Sequence, residues 1–199
     1  PRIILCLERM KTLPGLVKTG GIRHEVGHSI LHGSLRYYLL PSSPTLSELA
    51  DQFNLPFEYI TNMLYLISIA VKDYEVSCLL YGRGYVEDQV AYAKHLLEVS
   101  ERDVLSWKIS RGKPPAVVLF LISCLKAAGC AVPLLIDKKF GEDVRHYLVE
   151  SLSYLPADPS ALLLKVILEG FPSLGKDTLD NIDSMVRECK LIFETLFNR

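Results

Sequence analysis

The chain has 199 residues, which is long enough for one compact unit with a sizeable core. Hydrophobic residues make up 49% of the chain and the mean hydropathy is +0.22, so it is more apolar than an average soluble domain. A net charge of −1 excludes the strong basic field that is typical of nucleic-acid-binding proteins. Its five cysteines are odd in number and scattered, which favours free thiols in a reducing compartment and predicts a cytoplasmic protein.

The first predicted element is a buried strand over residues 2–10, where Ile3, Ile4, Leu5 and Leu7 form an apolar run. It is the only segment of the chain whose pattern favours a strand. Everything after it has the spacing of helices and short turns.

The second element is a helix that contains H-E-x-x-H at residues 24–28. His24 and His28 lie one turn apart on one face, with about 5–6 Å between their Cβ atoms, so both imidazoles can bind a single zinc ion. Glu25 lies beside that face. It is placed to take a proton from a water rather than to bind the metal.

Glycines surround this motif. Gly20 and Gly21 predict a loop that enters the helix, and Gly33 predicts its end. Gly27 costs about 1 kcal/mol of helix propensity relative to alanine, which indicates a packing reason for it. The ordinary alternative is an amphipathic helix with two exposed histidines.

Through residues 24–28 and the apolar stretch around them, the segment resembles the zincin superfamily of zinc metallopeptidases. The resemblance implies a bound Zn²⁺, a peptide or protein substrate, and Glu25 as the general base. It also implies a sheet ahead of the active-site helix, whose edge strand aligns the substrate, and a third ligand later in the chain. Because only one strand is visible, we expect that Pro1 is not the natural start.

His32 continues the ladder of histidines, but it lies about 12 Å along the helix from His24, so one zinc ion cannot bind His24, His28 and His32 on a straight helix. The metzincin pattern is not matched either, since Leu31 and Ser34 stand where its glycine and last histidine belong. We expect His32 to contact a ligand without binding the metal, or to lie on the surface.

The gluzincin branch of zincins takes its third ligand from a later helix, and residues 59–81 are strongly helical in pattern. This segment carries Asp73 and Glu75, which lie about 200° apart around a helix. Asp73 falls on the apolar stripe, where a carboxylate needs a partner or a metal, so we predict it as the third ligand. Ser77, one turn on, is a candidate to orient a ligand. Glu75, which the resemblance favours, stays the alternative, and we expect it to form a surface ion pair with Lys72.

Further helices are predicted over residues 45–53, 57–81, 85–99, 101–109, 115–128, 141–154, 158–169 and 177–197. The loop at 111–115 divides a zincin-like metal-site domain, residues 1–110, from a helical C-terminal subdomain, residues 111–199, unless the two form one continuous domain. The predicted fold class is therefore α+β and predominantly α-helical, with a zincin-like active-site helix, a small N-terminal sheet and a helical C-terminal half.

Two segments invite other interpretations. Residues 115–136 are long and apolar, but Lys126, Gly129 and Pro133 interrupt them, which favours a buried core helix over a membrane span. Residues 45–60 have the layout of a helix-turn-helix, yet no Lys or Arg occurs between residues 57 and 71 to bind DNA. We expect no nucleic-acid partner and no membrane, and the pattern leaves the oligomeric state open.

The sequence thus predicts zinc-dependent hydrolysis of peptide bonds, with Glu25 moving a proton from water to the leaving amine. A donor for the tetrahedral oxyanion is also needed. Its candidates are Tyr37, Tyr38, Tyr74, Tyr85 and His95. The competing hypothesis is a non-catalytic, zincin-like metal-binding interaction module.

Overall fold

The computed structural model describes residues 3–4, 6–41 and 43–197, and these residues form ten α-helices. The helices are α1 (Leu7–Lys11), α2 (Gly15–Leu31), α3 (Pro44–Phe53), α4 (Phe57–Gly82), α5 (Glu87–Leu97), α6 (Glu101–Ser110), α7 (Pro114–Ala131), α8 (Gly141–Glu150), α9 (Ala157–Lys165) and α10 (Thr178–Phe197). Short 3-10 turns at Leu35–Tyr37, Val132–Ile136 and Phe171–Ser173, and a π-helical turn at Val166–Gly170, join some of them.

No strand occurs in the described part of the chain, so the predicted N-terminal sheet and the α+β class are wrong: the fold is all-helical. Helix α1 begins inside the predicted strand, and Ile3 and Ile4 ahead of it are exposed. Arg2 and Leu5 of that strand lie outside the described residues. A strand with no neighbouring strand leaves its backbone groups unpaired, whereas a helix satisfies them locally.

Helices α4 and α7 form the centre of the core. Met63 and Ile67 of α4, and Leu121 and Leu125 of α7, are fully buried in one apolar cluster. This cluster draws residues from both sides of the 111–115 loop. By length and composition alone, Pro114–Ile136 would suffice to cross a membrane, but 67% of its most apolar window is buried inside the protein. In this fold the segment packs as the central helix.

Gly129 allows α7 to approach α4 closely. A Cβ at Gly129 would lie 2.6 Å from the carbonyl oxygen of Ala70, a backbone atom that cannot rotate away. We expect Gly129→Ala to destabilise the protein by about 1–3 kcal/mol. Gly82→Ala is the matched control, because a Cβ there meets nothing within 4 Å, and it should leave stability unchanged or raise it by up to about 1 kcal/mol. Urea unfolding measures both, and equal stability of the two variants would contradict the prediction.

Helix α2 begins at Gly15 and runs through Gly20 and Gly21, so the predicted entry loop at these glycines is wrong. A Cβ at Gly20 would lie 2.3 Å from the carbonyl oxygen of Asp88, which shows that the glycine permits close packing against α5. A Cβ at Gly27 would lie 2.6 Å from Val76 on α4. This agrees with the packing reason expected for Gly27. These contacts hold α2 between α5 and α4.

Candidate metal centre

Helices α2 and α4 bring His24, His28 and Asp73 together. The Nε2 atoms of His24 and His28 lie 3.4 and 2.9 Å from the same oxygen, Oδ1 of Asp73. One ligand atom from each of the three side chains lies within 4.8 Å of the other two. The chain therefore presents two imidazole nitrogens and one carboxylate oxygen to a single point, as the helix-face argument for Asp73 predicted.

The spacing of these atoms fits a small tetrahedral ion. Two ligand atoms bound at about 2.0–2.1 Å in a tetrahedron lie about 3.3–3.4 Å apart. The contact of His24 with Asp73, at 3.4 Å, already has that length, and the contact of His28 at 2.9 Å needs to open by a few tenths of an ångström. Nitrogen and carboxylate donors are those that zinc accepts.

Burying a carboxylate and a histidine ring in this cluster costs free energy unless a cation compensates for it. His24 is 2% exposed and Asp73 is 4% exposed. Burial raises the pKa of Asp73, but hydrogen bonds and charge from His24 and His28 outweigh it and leave the pKa below its ordinary value. Asp73 is therefore ionised at neutral pH. The Nδ1 atom of His24 has no hydrogen-bond partner in the described part of the chain, so this buried ring is poorly satisfied, and a metal bound at Nε2 would give it a strong contact.

The remaining fixed residue of the H-E-x-x-H motif is Glu25. It follows His24 on α2, is exposed, and has no hydrogen bond or ion pair with any described residue. Its negative charge adds to the effect of burial in raising the pKa of Tyr92 and that of Cys130. A free carboxylate beside two metal-ligand candidates is available for proton transfer.

No known protein family, curated protein or solved structure matches the chain. The zincin resemblance therefore depends on residues 24–28, and the geometry of the side chains carries the functional argument. That geometry differs from the resemblance in two respects, since the described residues provide no edge strand for a substrate and the acid beside the histidines is Asp73 rather than Glu75.

Glu75, the alternative third ligand, lies away from Asp73 and binds other groups. It accepts hydrogen bonds from Asn181 and Thr178 of α10, at 2.6 and 2.8 Å, and its Oε2 is 2.8 Å from Nε2 of His32. The predicted surface ion pair with Lys72 is wrong. Lys72 is buried and donates to the carbonyl oxygen of Tyr37 instead.

The candidates for the oxyanion donor each contact another side chain, and none of these contacts involves His24, His28 or Asp73. Tyr37 packs on His32, Tyr38 on Lys72, Tyr74 on Phe171, Tyr85 on Arg23, and His95 contacts Glu98. Ser77, expected to orient a ligand, is buried and interacts with the thiol of Cys130.

Tyr92 was not foreseen from the sequence. Its ring lies 5.2 Å from that of His24, and it also covers Gly21. Burial raises the pKa of its hydroxyl, and the negative charges of Asp73 and Glu25 add to this effect, so the hydroxyl stays protonated. The only sequence signal was the pair of small residues on α2, Gly20 and Gly21, which leaves room for a large ring on a partner helix.

Proposed function

We propose that the protein is a zinc-dependent hydrolase whose substrate is a peptide bond. The observation that carries this proposal is the convergence of His24 and His28 on one buried oxygen of Asp73, with the exposed Glu25 next to His24 in the sequence. The ligand set of two neutral imidazoles and one carboxylate is that of many catalytic zinc sites.

Zinc bound there would acidify a water molecule and polarise the substrate carbonyl. Glu25 then accepts the proton of that water and delivers it to the leaving amine nitrogen. His24, His28 and Asp73 would hold the ion, and the ionised Asp73 would offset one of its two charges. Glu25 suits its role because it is exposed to substrate and has no competing partner among the described residues.

Tyr92 is our candidate for the donor that stabilises the oxyanion. Its ring lies 5.2 Å from that of His24, and burial raises the pKa of its hydroxyl, which therefore stays protonated. We expect Tyr92→Phe to keep the metal and to lower kcat by about 10²–10³-fold, the effect of removing one such donor. Tyr65→Phe, a change of an exposed tyrosine on α4, is the control. A kcat for Tyr92→Phe equal to that of the control would exclude Tyr92 from the reaction.

The peptide class of the substrate is supported by the motif at residues 24–28 and by apolar residues next to Glu25. Val26 and Ile30, one turn apart on α2, are 40% and 67% exposed and can contact an apolar side chain of a substrate. Since the described residues have no edge strand, side chains must hold the substrate in place.

A second candidate function is a non-catalytic metal-binding interaction module. It is favoured by the all-helical fold, and by the way the three ligands join α2 to α4, so that the metal would act as a cross-link. In addition, a groove of about 830 Å³ on the described surface is lined by residues of α2, α5 and α8 but by none of the three ligands.

Removal of the metal distinguishes the two functions. For the hydrolase, we expect a chelator to abolish cleavage of a peptide library while far-UV circular dichroism stays unchanged, and added Zn²⁺ to restore the cleavage. For the module, we expect chelation to unfold the chain and no cleavage at any zinc concentration. Cleavage that persists in the metal-free protein would refute the proposed hydrolase.

A further inference from the structure

A chain of polar contacts leads away from His28 on the side opposite Asp73. The second ring nitrogen of His28, Nδ1, lies 3.3 Å from Nδ1 of His32. Nε2 of His32 lies 2.8 Å from Oε2 of Glu75. Glu75 in turn accepts hydrogen bonds from Thr178 and Asn181 at the start of α10. The contacts therefore join a candidate metal ligand to a helix that begins 150 residues later in the chain.

This relay is buried. His32 is 1% exposed and Asn181 is 2% exposed, and Thr178 is buried as well. Asn181 is itself held by Gly175, whose backbone N–H donates to the side-chain oxygen Oδ1 of Asn181 at 2.7 Å. Buried polar groups that satisfy one another have a fixed geometry, because each lost contact leaves a costly unpaired atom.

The relay permits one arrangement of protons on two neutral imidazoles. Glu75 accepts only, so Nε2 of His32 must carry a proton, and Nδ1 of His32 is left as an acceptor. Nδ1 of His28 must then donate to it. The reverse arrangement would place an unprotonated nitrogen of His32 against the carboxylate of Glu75.

This arrangement of protons also determines which form of Nε2 His28 presents to Asp73. With its proton on Nδ1, neutral His28 presents the lone pair of Nε2 to Oδ1 of Asp73 at 2.9 Å. Two lone pairs at that distance repel each other unless a cation lies between them. A metal ion bound between these two atoms would supply that cation.

We propose that His32 and Glu75 are positioning residues that hold His28 in the tautomer whose Nε2 binds the metal, and that Asn181 anchors them to α10. The inference rests on the metal site of the proposed function but not on the hydrolytic reaction. Through these contacts, the affinity for metal depends on the C-terminal helix α10, which contributes no ligand. Partners of metal-binding histidines typically change metal affinity by about 10–100-fold when removed.

The test uses the full chain loaded with Co²⁺, whose visible absorption reports the geometry of the site. His32→Phe removes both ring nitrogens, whereas His32→Gln offers an amide oxygen to His28 and an amide N–H to Glu75. Asn181→Ala breaks the far end of the relay. Ser43→Ala is the matched control, because it removes a hydrogen bond to Asp183 of α10 that lies outside the relay.

We expect His32→Phe to weaken Co²⁺ binding, measured by competition with a chelator, by about 10–100-fold and to shift the absorption bands. His32→Gln should recover most of the affinity and the wild-type bands. Asn181→Ala should weaken binding in the same direction by a smaller factor, and Ser43→Ala should match the wild type.

Wild-type affinity and bands in folded His32→Phe would overturn the relay, as would equal losses in the Phe and Gln variants. If His32→Phe does not fold, Asn181→Ala decides, since wild-type binding and bands in that variant also overturn the proposal. A wild-type chain that binds no Co²⁺ refutes both the site and the relay. Tight binding without peptide cleavage refutes only the hydrolase.

Discussion

Replacing Glu25 with glutamine is expected to lower kcat for peptide cleavage by about 10²–10⁴-fold while the protein keeps its zinc. Glutamine has nearly the shape of glutamate but cannot accept the proton of the attacking water. Because Glu25 is exposed and has no hydrogen bond or ion pair in the described part of the chain, the change should shift the free energy of unfolding by no more than about 0.5 kcal/mol. The measurements are kcat, zinc content by elemental analysis and Tm.

Glu58→Gln is the matched control for this prediction, because Glu58 is another exposed glutamate and lies in the first turn of α4. It should retain the wild-type kcat. Equal kcat values for Glu25→Gln and the wild type would remove Glu25 from the mechanism. Loss of zinc from Glu25→Gln would instead mean that this carboxylate binds the metal.

The helices could be predicted from the sequence where apolar residues recur at helical spacing over many residues. A helix was expected over residues 57–81 and α4 spans Phe57–Gly82; likewise residues 177–197 correspond to α10. The predicted strand at residues 2–10 failed because a short apolar run fits a strand or a helix equally well by pattern. The predicted loop at Gly20 and Gly21 was wrong for another reason. These glycines allow α2 to pack closely against α5, and the local sequence does not show that α5 is the neighbouring helix.

In the candidate site, too, features that depend on helical spacing could be predicted, whereas contacts between distant parts of the chain could not. The placement of His24, His28 and Asp73 follows from helical periodicity, which sequence contains, and the structure brings these side chains together. The partners of Glu75 and Lys72 depend on residues that fold back onto α4. Asn181 is 106 positions from Glu75, and Tyr37 is 35 positions from Lys72, so no local pattern predicts either contact.

The identity of the acidic ligand gives the second large expected effect. Asp73→Ala should weaken zinc binding by far more than about 100-fold, because it removes the oxygen on which both histidines converge. Glu75→Ala should cost only about 10–100-fold, since Glu75 acts on the ligand His28 through His32. Zinc affinity is measured by competition with a chelator, and Tm of the metal-free proteins shows whether each variant folds.

The double variant His24→Ala/His28→Ala supplies the baseline, because it keeps both carboxylates but lacks the imidazoles. Asp73→Ala should resemble this baseline in zinc affinity, whereas Glu75→Ala should stay above it. Asp73→Asn separates charge from position: it keeps an oxygen near the two imidazoles but removes the negative charge that offsets the ion, so its affinity should fall between those of the wild type and Asp73→Ala. If Glu75→Ala falls to the baseline while Asp73→Ala retains zinc, then α4 must rotate on binding to bring Glu75 inward, and Asp73 is not the ligand.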